Sequence, residues 1–211
     1  MINTISPHAL RSPSAAFWIP NNYFAEALPK DIFPETPTHP LEVDLGCGDG
    51  GFLIEMAKHY PERNFLGVER LLGRARKVAR RITRYGLHNA RILRLDSAYT
   101  LGWLLPTGGV SRLHFLFPDP WPKAKQMKRR MFANADFLRG LERTLPVGGQ
   151  FCFKSDHEEY FDAAHEQFDP LPFFNSVPWP APEAEEYPLT DFERQWIGEG
   201  RTIYQARWER V

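Results

Sequence analysis

An α/β fold, with a mainly parallel sheet and helices on both faces, is what this sequence predicts, and three observations carry the prediction. From residue 41 onward, short apolar runs that suit strands alternate with longer segments whose apolar residues recur at helical spacing. The strand runs are apolar on both faces, as in sheets buried between two helical layers. The first of them leads into a glycine-rich turn and then a helix, the order expected where such a sheet holds a ligand beyond its carboxyl edge. A length of 211 residues suits one domain with a substantial core.

Residues 1–40 are rich in Pro, Asn and aromatics without sustained periodicity, and read as an irregular arm whose packing residues would be Phe17, Trp18, Tyr23 and Phe24. Residues 41–211 are expected to form the single domain. LEVDLG (41–46) reads as a strand, FLIEMAKHY (52–60) as a helix stopped by Pro61, and NFLGVE (64–69) as a strand. LLGRARKVARRITRYG (71–86) is a helix ended by Gly86, whose missing side chain suits a left-handed cap. ARILRL (90–95) is a strand, SAYTLGWLLP (97–106) a segment with room for a short helix, and SRLHFLF (111–117) a strand. A helix through MFANADFLRGLERTL (131–145), a strand QFCFKS (150–155) and a helix HEEYFDAAHEQF (157–168) follow. Ser155 and Asp156 with Glu158 and Glu159 supply capping-box signals for that helix. Residues 170–188, rich in Pro and aromatics, read as a long connection, TDFERQWIGEG (190–200) as a loop, and TIYQARWER (202–210) as a final strand.

Twenty-six basic and 26 acidic residues cancel, yet they are unevenly spread. Residues 63–94 carry a dense series of arginines against one acid, Glu69; KAKQMKRR (123–130) has none; residues 156–199 are acidic in compensation. Cys47 and Cys152 show no CxxC or Cys/His ligand spacing, which argues against a zinc site or a disulfide framework, and the histidines show no metal-ligand spacing. Neither a secretory leader nor a run of 18 apolar residues is visible, so a cytoplasmic location is expected and no membrane association.

DLGCGDGG (44–51) lies between strand and helix, where glycines admit a ligand close to the backbone and the helix start offers free N–H groups. Gly46, Gly48 and Gly51 fit a dinucleotide pattern, and Glu69 at the end of the next strand could take two ribose hydroxyls. NAD and S-adenosylmethionine share that ribose. Asp44, immediately before the glycines, sits poorly with a pyrophosphate but suits a cationic amine, which favours S-adenosylmethionine. Asp96, with Ser97 beside it, could accept from an adenine amine or cap the following segment.

FPDPWPK (117–123) follows an apolar strand with an acid held between prolines. Pro118, Pro120 and Pro122 impose a rigid extended path, so Asp119 is held still at a strand end. Trp121 reads as a loop anchor or a stacking platform for a base. Together DLGCGDGG, FLGVER, LDSA, FPDPWPKAKQMKRR, KSDHEEY and TDFE resemble the tRNA (guanine-N7)-methyltransferases over most of the chain. The resemblance implies a Rossmann-like class I methyltransferase fold with a seven-stranded sheet, S-adenosylmethionine as methyl donor, and tRNA as partner. The product would be N7-methylguanosine in the variable loop, at position 46 in tRNA numbering. It also implies cofactor contacts from Asp44, Gly46, Gly48, Glu69, Asp96, Ser97 and Asp119, catalysis at Asp119, and substrate contacts from Lys123, Asp156, Thr190, Asp191, Phe192 and Glu193. Asp44 stands where the family often has glutamate, and the arm has only Arg11 where members often carry a basic segment. The chain could act as monomer, homodimer or with a partner subunit. Two other readings remain open at this point: a methyltransferase acting on another acceptor, and an RNA-binding or regulatory module of the same fold without catalysis.

Overall fold

The computed structural model describes residues 16–120, 132, 134–181 and 185–211. Its elements are β1 (Phe17–Trp18), α1 (Pro29–Ile32), β2 (Leu41–Leu45), α2 (Gly51–His59), β3 (Asn64–Val68), α3 (Leu72–Tyr85), β4 (Ala90–Leu93) and α4 (Ser97–Tyr99). After a π-helical turn, Thr100–Leu104, come β5 (Arg112–Leu116), α5 (Ala135–Thr144), β6 (Gln150–Ser155), α6 (Glu158–Phe168), β7 (Phe174–Val177), α7 (Asp191–Gly198) and β8 (Tyr204–Arg210).

All strands join one sheet in the order β1-β4-β3-β2-β5-β6-β8-β7, parallel except where β8 runs antiparallel to β6 and β7. The expected seven strands are β2 to β8, and the arm supplies an eighth: Phe17 and Trp18 pair in parallel with Ile92 and Leu93. From β2 the chain winds outward one way through β3 and β4 and the other through β5 and β6. The carboxyl ends of β2 and β5 are therefore the switch point at which such sheets bind ligands.

The sheet is buried on both faces, as its strand composition predicts. One face packs Leu101, Leu104, Phe137, Leu141, Phe151, Phe153, Phe168 and Trp208 beneath α5 and α6. The other packs Phe52, Leu53, Met56, Phe65, Val78, Ile82 and Ile92 beneath α2 and α3. In α3 the buried residues Ala75, Val78, Ala79 and Ile82 recur at three- and four-residue spacing, and Gly86 closes the helix at φ 64°.

Four expectations need correction. The arm is not irregular throughout, since backbone pairing at the sheet edge satisfies Phe17 and Trp18. The long connection 170–188 contains β7, an edge strand too short and too polar to stand out by alternation. TDFERQWIGEG is not a loop, because Thr190 caps α7 through its hydroxyl oxygen, which accepts from the Glu193 N–H at 2.9 Å. The box expected ahead of α6 is absent: His157 is the N-cap without a side-chain bond, and Ser155 Oγ instead accepts from the His157 N–H. Among the described residues no helix is long and apolar enough to cross a membrane, and no cluster of His, Cys, Asp and Glu could hold a metal.

Candidate functional site

The turn after β2 is shaped by three left-handed glycines, Gly46, Gly48 and Gly50, at φ 79°, 56° and 73°. The N–H groups of Gly46 and Cys47 both donate to the Val68 carbonyl, at 2.9 and 3.0 Å, which folds the turn against the end of β3. The glycines serve different purposes. A Cβ on Gly46 or Gly48 would meet nothing within 4 Å, whereas one on Gly50 would lie 2.8 Å from Val78 of α3. The first two face open space and the third keeps two helices close. A Cβ on Gly51 would lie 2.7 Å from Asp191 Oδ2, so the start of α7 abuts the start of α2.

Two carboxylates are buried behind this turn, Asp44 at 4% and Glu69 at 7% exposure. Burial, with the Glu69 charge added, pushes the Asp44 carboxyl up to about 7. Glu69 Oε1 accepts from the Leu71 N–H at 2.7 Å, and among the described residues no cation pairs with either acid. A desolvated carboxyl such as Asp44, without a counter-charge, disfavours ionisation and welcomes a cationic ligand. Burial and the same two acids also push the Cys47 thiol well up, leaving it a neutral wall residue. Asp49, at the turn's outer side, pairs with Lys77 at 2.6 Å.

At the end of β4, Asp96 is an N-cap: its Oδ1 accepts from the N–H groups of Ala98 and Tyr99 at 3.0 and 3.1 Å, and Ser97 begins α4. The capping role weighed from the sequence is therefore present, and Oδ2 takes part in neither bond.

Beyond β5 the chain turns sharply. Phe117 adopts φ 52°, a left-handed value that costs a bulky side chain about 1–2 kcal/mol, and which the following proline makes harder still. It is held by its N–H bond to the Lys154 carbonyl, 2.8 Å, and by its ring against Trp196, 4.9 Å between centroids. Two residues later Asp119 is exposed. Trp121, Lys123 and the basic run 123–130 lie outside the described residues.

Of the TDFE segment, Asp191 and Phe192 face outward and Thr190 and Glu193 inward. Glu193 pairs with Lys154 at 2.6 Å, both side chains only 4% exposed. The Lys154 ammonium also lies over the rings of Trp179 and Tyr187, at 4.9 and 5.0 Å. Phe192 stacks on Trp196. Asp156 accepts from Arg201 at 2.9 Å. Lys154 was missed by sequence reasoning although a lysine inside QFCFKS, a strand buried on both faces, signals a buried ion pair.

A second missed network lies deeper. Glu42 Oε1 accepts from Arg63 at 2.9 Å, Glu42 Oε2 bonds His114 Nε2 at 2.8 Å, and His114 Nδ1 bonds the Tyr187 hydroxyl at 2.7 Å. A carboxylate only accepts, so His114 carries its proton on Nε2 and Tyr187 donates to Nδ1. Burial and the nearby Arg112 hold this imidazole neutral. Burial would raise the Glu42 carboxyl, but the His114 bond and the guanidiniums of Arg112 and Arg63 outweigh it and hold the group at about 2. Glu185 joins Arg63 and Arg112 from the same connection as Tyr187. The network thus straps residues 185–187 across the sheet, beside the glycine turn.

The chain is similar to known methyltransferases. A family model described as "Putative methyltransferase" matches residues 38–206. The chain is 32% identical to a tRNA (guanine-N(7)-)-methyltransferase of Syntrophotalea carbinolica, over 97% of this chain and 84% of that one. It is 34% identical to one from Rhizobium johnstonii, over 85% and 78%. Among solved structures, the 16S rRNA methyltransferase KamB superposes with a TM-score of 0.61 over 85% of this chain and 92% of that one; at 17% identity this likeness is one of fold.

Proposed function

Because the chain belongs to the tRNA (guanine-N7)-methyltransferases, and so transfers the methyl group of S-adenosylmethionine to N7 of a guanine in tRNA, we propose that its target is the variable-loop guanine at position 46 and that Asp119 directs the reaction. When bound, S-adenosylmethionine supplies an electrophilic methyl on a cationic sulfonium. The residues present fit it: Asp44 and Glu69 are buried without a cation partner among the described residues, and Gly46 and Gly48 border open space.

In this reading Asp44 takes the methionine ammonium, directly or through water, and Glu69 takes the ribose hydroxyls. Asp96 accepts from the adenine amine through Oδ2, with Ser97 beside it, since its cap bonds use Oδ1. Guanine N7 carries an in-plane lone pair and no proton at neutral pH, so the chain need not supply a strong base. Positioning is its main task, and alignment of nucleophile with methyl can supply several kcal/mol, roughly 7 or more in the best intramolecular cases.

Asp119 suits that task as an acceptor for guanine N1–H and the 2-amino group, an edge adenine lacks, while also orienting the donor. Asp156 has the same chemistry but is tied to Arg201, whereas Asp119 pairs with no cation among the described residues. Thr190, Asp191, Phe192 and Glu193 form the opposite substrate wall, Glu193 by fixing the others. Lys123 and its basic neighbours would meet phosphates. The observation that supports the reading is the exposed Asp119 two residues past the strained Phe117, beyond the carboxyl end of β5, the parallel neighbour of the strand β2 that carries Asp44.

Transfer of labelled methyl from S-adenosylmethionine to unmodified tRNA, with N7-methylguanine located by chain cleavage after reduction and aniline treatment, tests it. Label at the single variable-loop guanine is expected. Label at another guanine removes the position assignment. Asp119→Asn should lower kcat at least 100-fold, about 3 kcal/mol of transition-state stabilisation; wild-type turnover in that variant would remove Asp119 from the mechanism.

A further inference from the structure

We propose that the exposed face of α3 is a docking ridge for the phosphate backbone of the tRNA substrate, set apart from the methyl-transfer cleft; this rests on tRNA being the substrate. The helix carries Arg74, Arg76, Lys77, Arg80, Arg81 and Arg84 and no acid, in a chain whose total charge is zero. Its apolar stripe faces the sheet, so these cations crowd the remaining surface. Lys77 and Arg80 stand three residues apart, and Lys77 and Arg81, and Arg80 and Arg84, four. At these spacings like charges repel and weaken a helix. A solvated face ordinarily relieves such repulsion with interleaved acids.

That relief is nearly absent. Among the described residues one acid, Asp49, pairs with this helix, through Lys77. Arg81 donates to the Asp49 carbonyl and Arg84 to the Tyr85 hydroxyl, while Arg74, Arg76 and Arg80 pair with no acid among the described residues. Lys77, Arg80, Arg81 and Arg84 line one shallow depression. A cluster of guanidiniums that concentrates repulsion around a groove is stabilised by a bound polyanion, and planar guanidiniums suit phosphate oxygens in pairs.

Position selects the polyanion. Lys77 and Arg81 reach back to the glycine turn, and Arg70 and Arg94, both exposed, flank Glu69 at the same end, with Arg94 Nε donating to the Arg70 carbonyl. The positive strip therefore leaves the cleft and runs along α3 for about 20 Å, at 1.5 Å per residue from position 70 to 84. A tRNA presenting one guanine to the cleft carries its backbone outward over this range. A membrane surface would require a continuous apolar flank, whereas the exposed large apolar side chains along this strip, among the described residues, are Leu71 and Leu72 at one end and Tyr85 at the other.

The test is the double charge reversal Arg80→Glu/Arg84→Glu, beside Arg80→Gln/Arg84→Gln, on the full chain. Both positions are exposed, and thermal melts together with S-adenosylmethionine titration verify folding and donor binding. With unmodified full-length tRNA at low salt, the reversal should raise KM for tRNA about tenfold or more with kcat within twofold, the Gln pair falling between. The slope of log kcat/KM against log salt should become shallower by roughly 1.5, the loss of two phosphate contacts. A KM and slope equal to wild type in both variants overturns the ridge, as does a raised KM with an unchanged slope. Wild-type KM together with binding to anionic vesicles that the reversal abolishes would assign the face to a lipid surface and likewise overturn it. Absence of methyl transfer by the wild-type chain strikes the substrate reading instead, and is separated from the ridge by direct tRNA binding.

Discussion

The Asp44 carboxyl, held up at about 7 by burial and by Glu69, links the donor pocket to pH. A raised carboxyl contributes stability fully below its ordinary value of about 3.8 and loses it as pH rises through about 7. Without the methyl donor, stability should therefore fall by on the order of 4 kcal/mol between those limits. Urea denaturation from pH 4 to 8 should show Asp44→Asn flatter than wild type and more stable at pH 8, yet weaker in binding S-adenosylmethionine. Saturating donor should flatten the wild-type curve, because a cation beside Asp44 favours its charged form. A variant that keeps the wild-type slope would assign the titration elsewhere. The acid itself was legible in the sequence, from its place before the glycines. Its protonation was not, since that follows first from burial and then from Glu69 coming close in space.

Glycines of one turn divide by what surrounds them. Gly46→Ala adds a methyl to open space at φ 79°, so stability should drop by about 1–2 kcal/mol while donor affinity drops further. Gly50→Ala drives a methyl to 2.8 Å from Val78 at an equally unfavourable φ, so its stability loss should exceed that of Gly46→Ala by about 1–3 kcal/mol. Calorimetric binding and melting of both variants check this; the opposite ranking in stability would refute the division. For α7, Glu193→Ala strands a buried ammonium and should cost about 3–5 kcal/mol in chemical denaturation, Glu193→Gln less. A loss within 1 kcal/mol, roughly that of an exposed pair, would mean that Lys154 finds water. The spacing Thr190-x-x-Glu193 was readable as a capping box, but eight residues with a thin apolar face resemble a turn until Lys154 lies beneath them.

Across the whole molecule, the network of Glu42, Arg63, Arg112, His114, Glu185 and Tyr187 ties together four stretches of chain well apart in sequence. Glu42, at about 2, contributes stability present above its ordinary value near 4.5 and lost as pH falls through about 2. Glu42→Gln should thus be less stable than wild type at pH 7 by about 2–3 kcal/mol, the difference shrinking as pH falls from 4.5 toward 2. A difference independent of pH would show that packing, not charge, dominates at this position.

By itself the sequence determined the alternation of strands and helices and the glycine turn, because each depends on local backbone chemistry and on apolar period. Gly86 ends α3 and the apolar runs become buried strands for reasons contained within a few neighbouring residues. Only the tertiary structure decided the pairing of Phe17 and Trp18 with β4, the edge strand β7, the burial of Glu193 on Lys154 and the strap through Tyr187. These depend on partners between 39 and 75 residues away in the chain for the first, third and last. A polar side chain shows its own chemistry in sequence, but its partner, and with it the choice between a buried bridge and a ligand contact, is set when the chain closes.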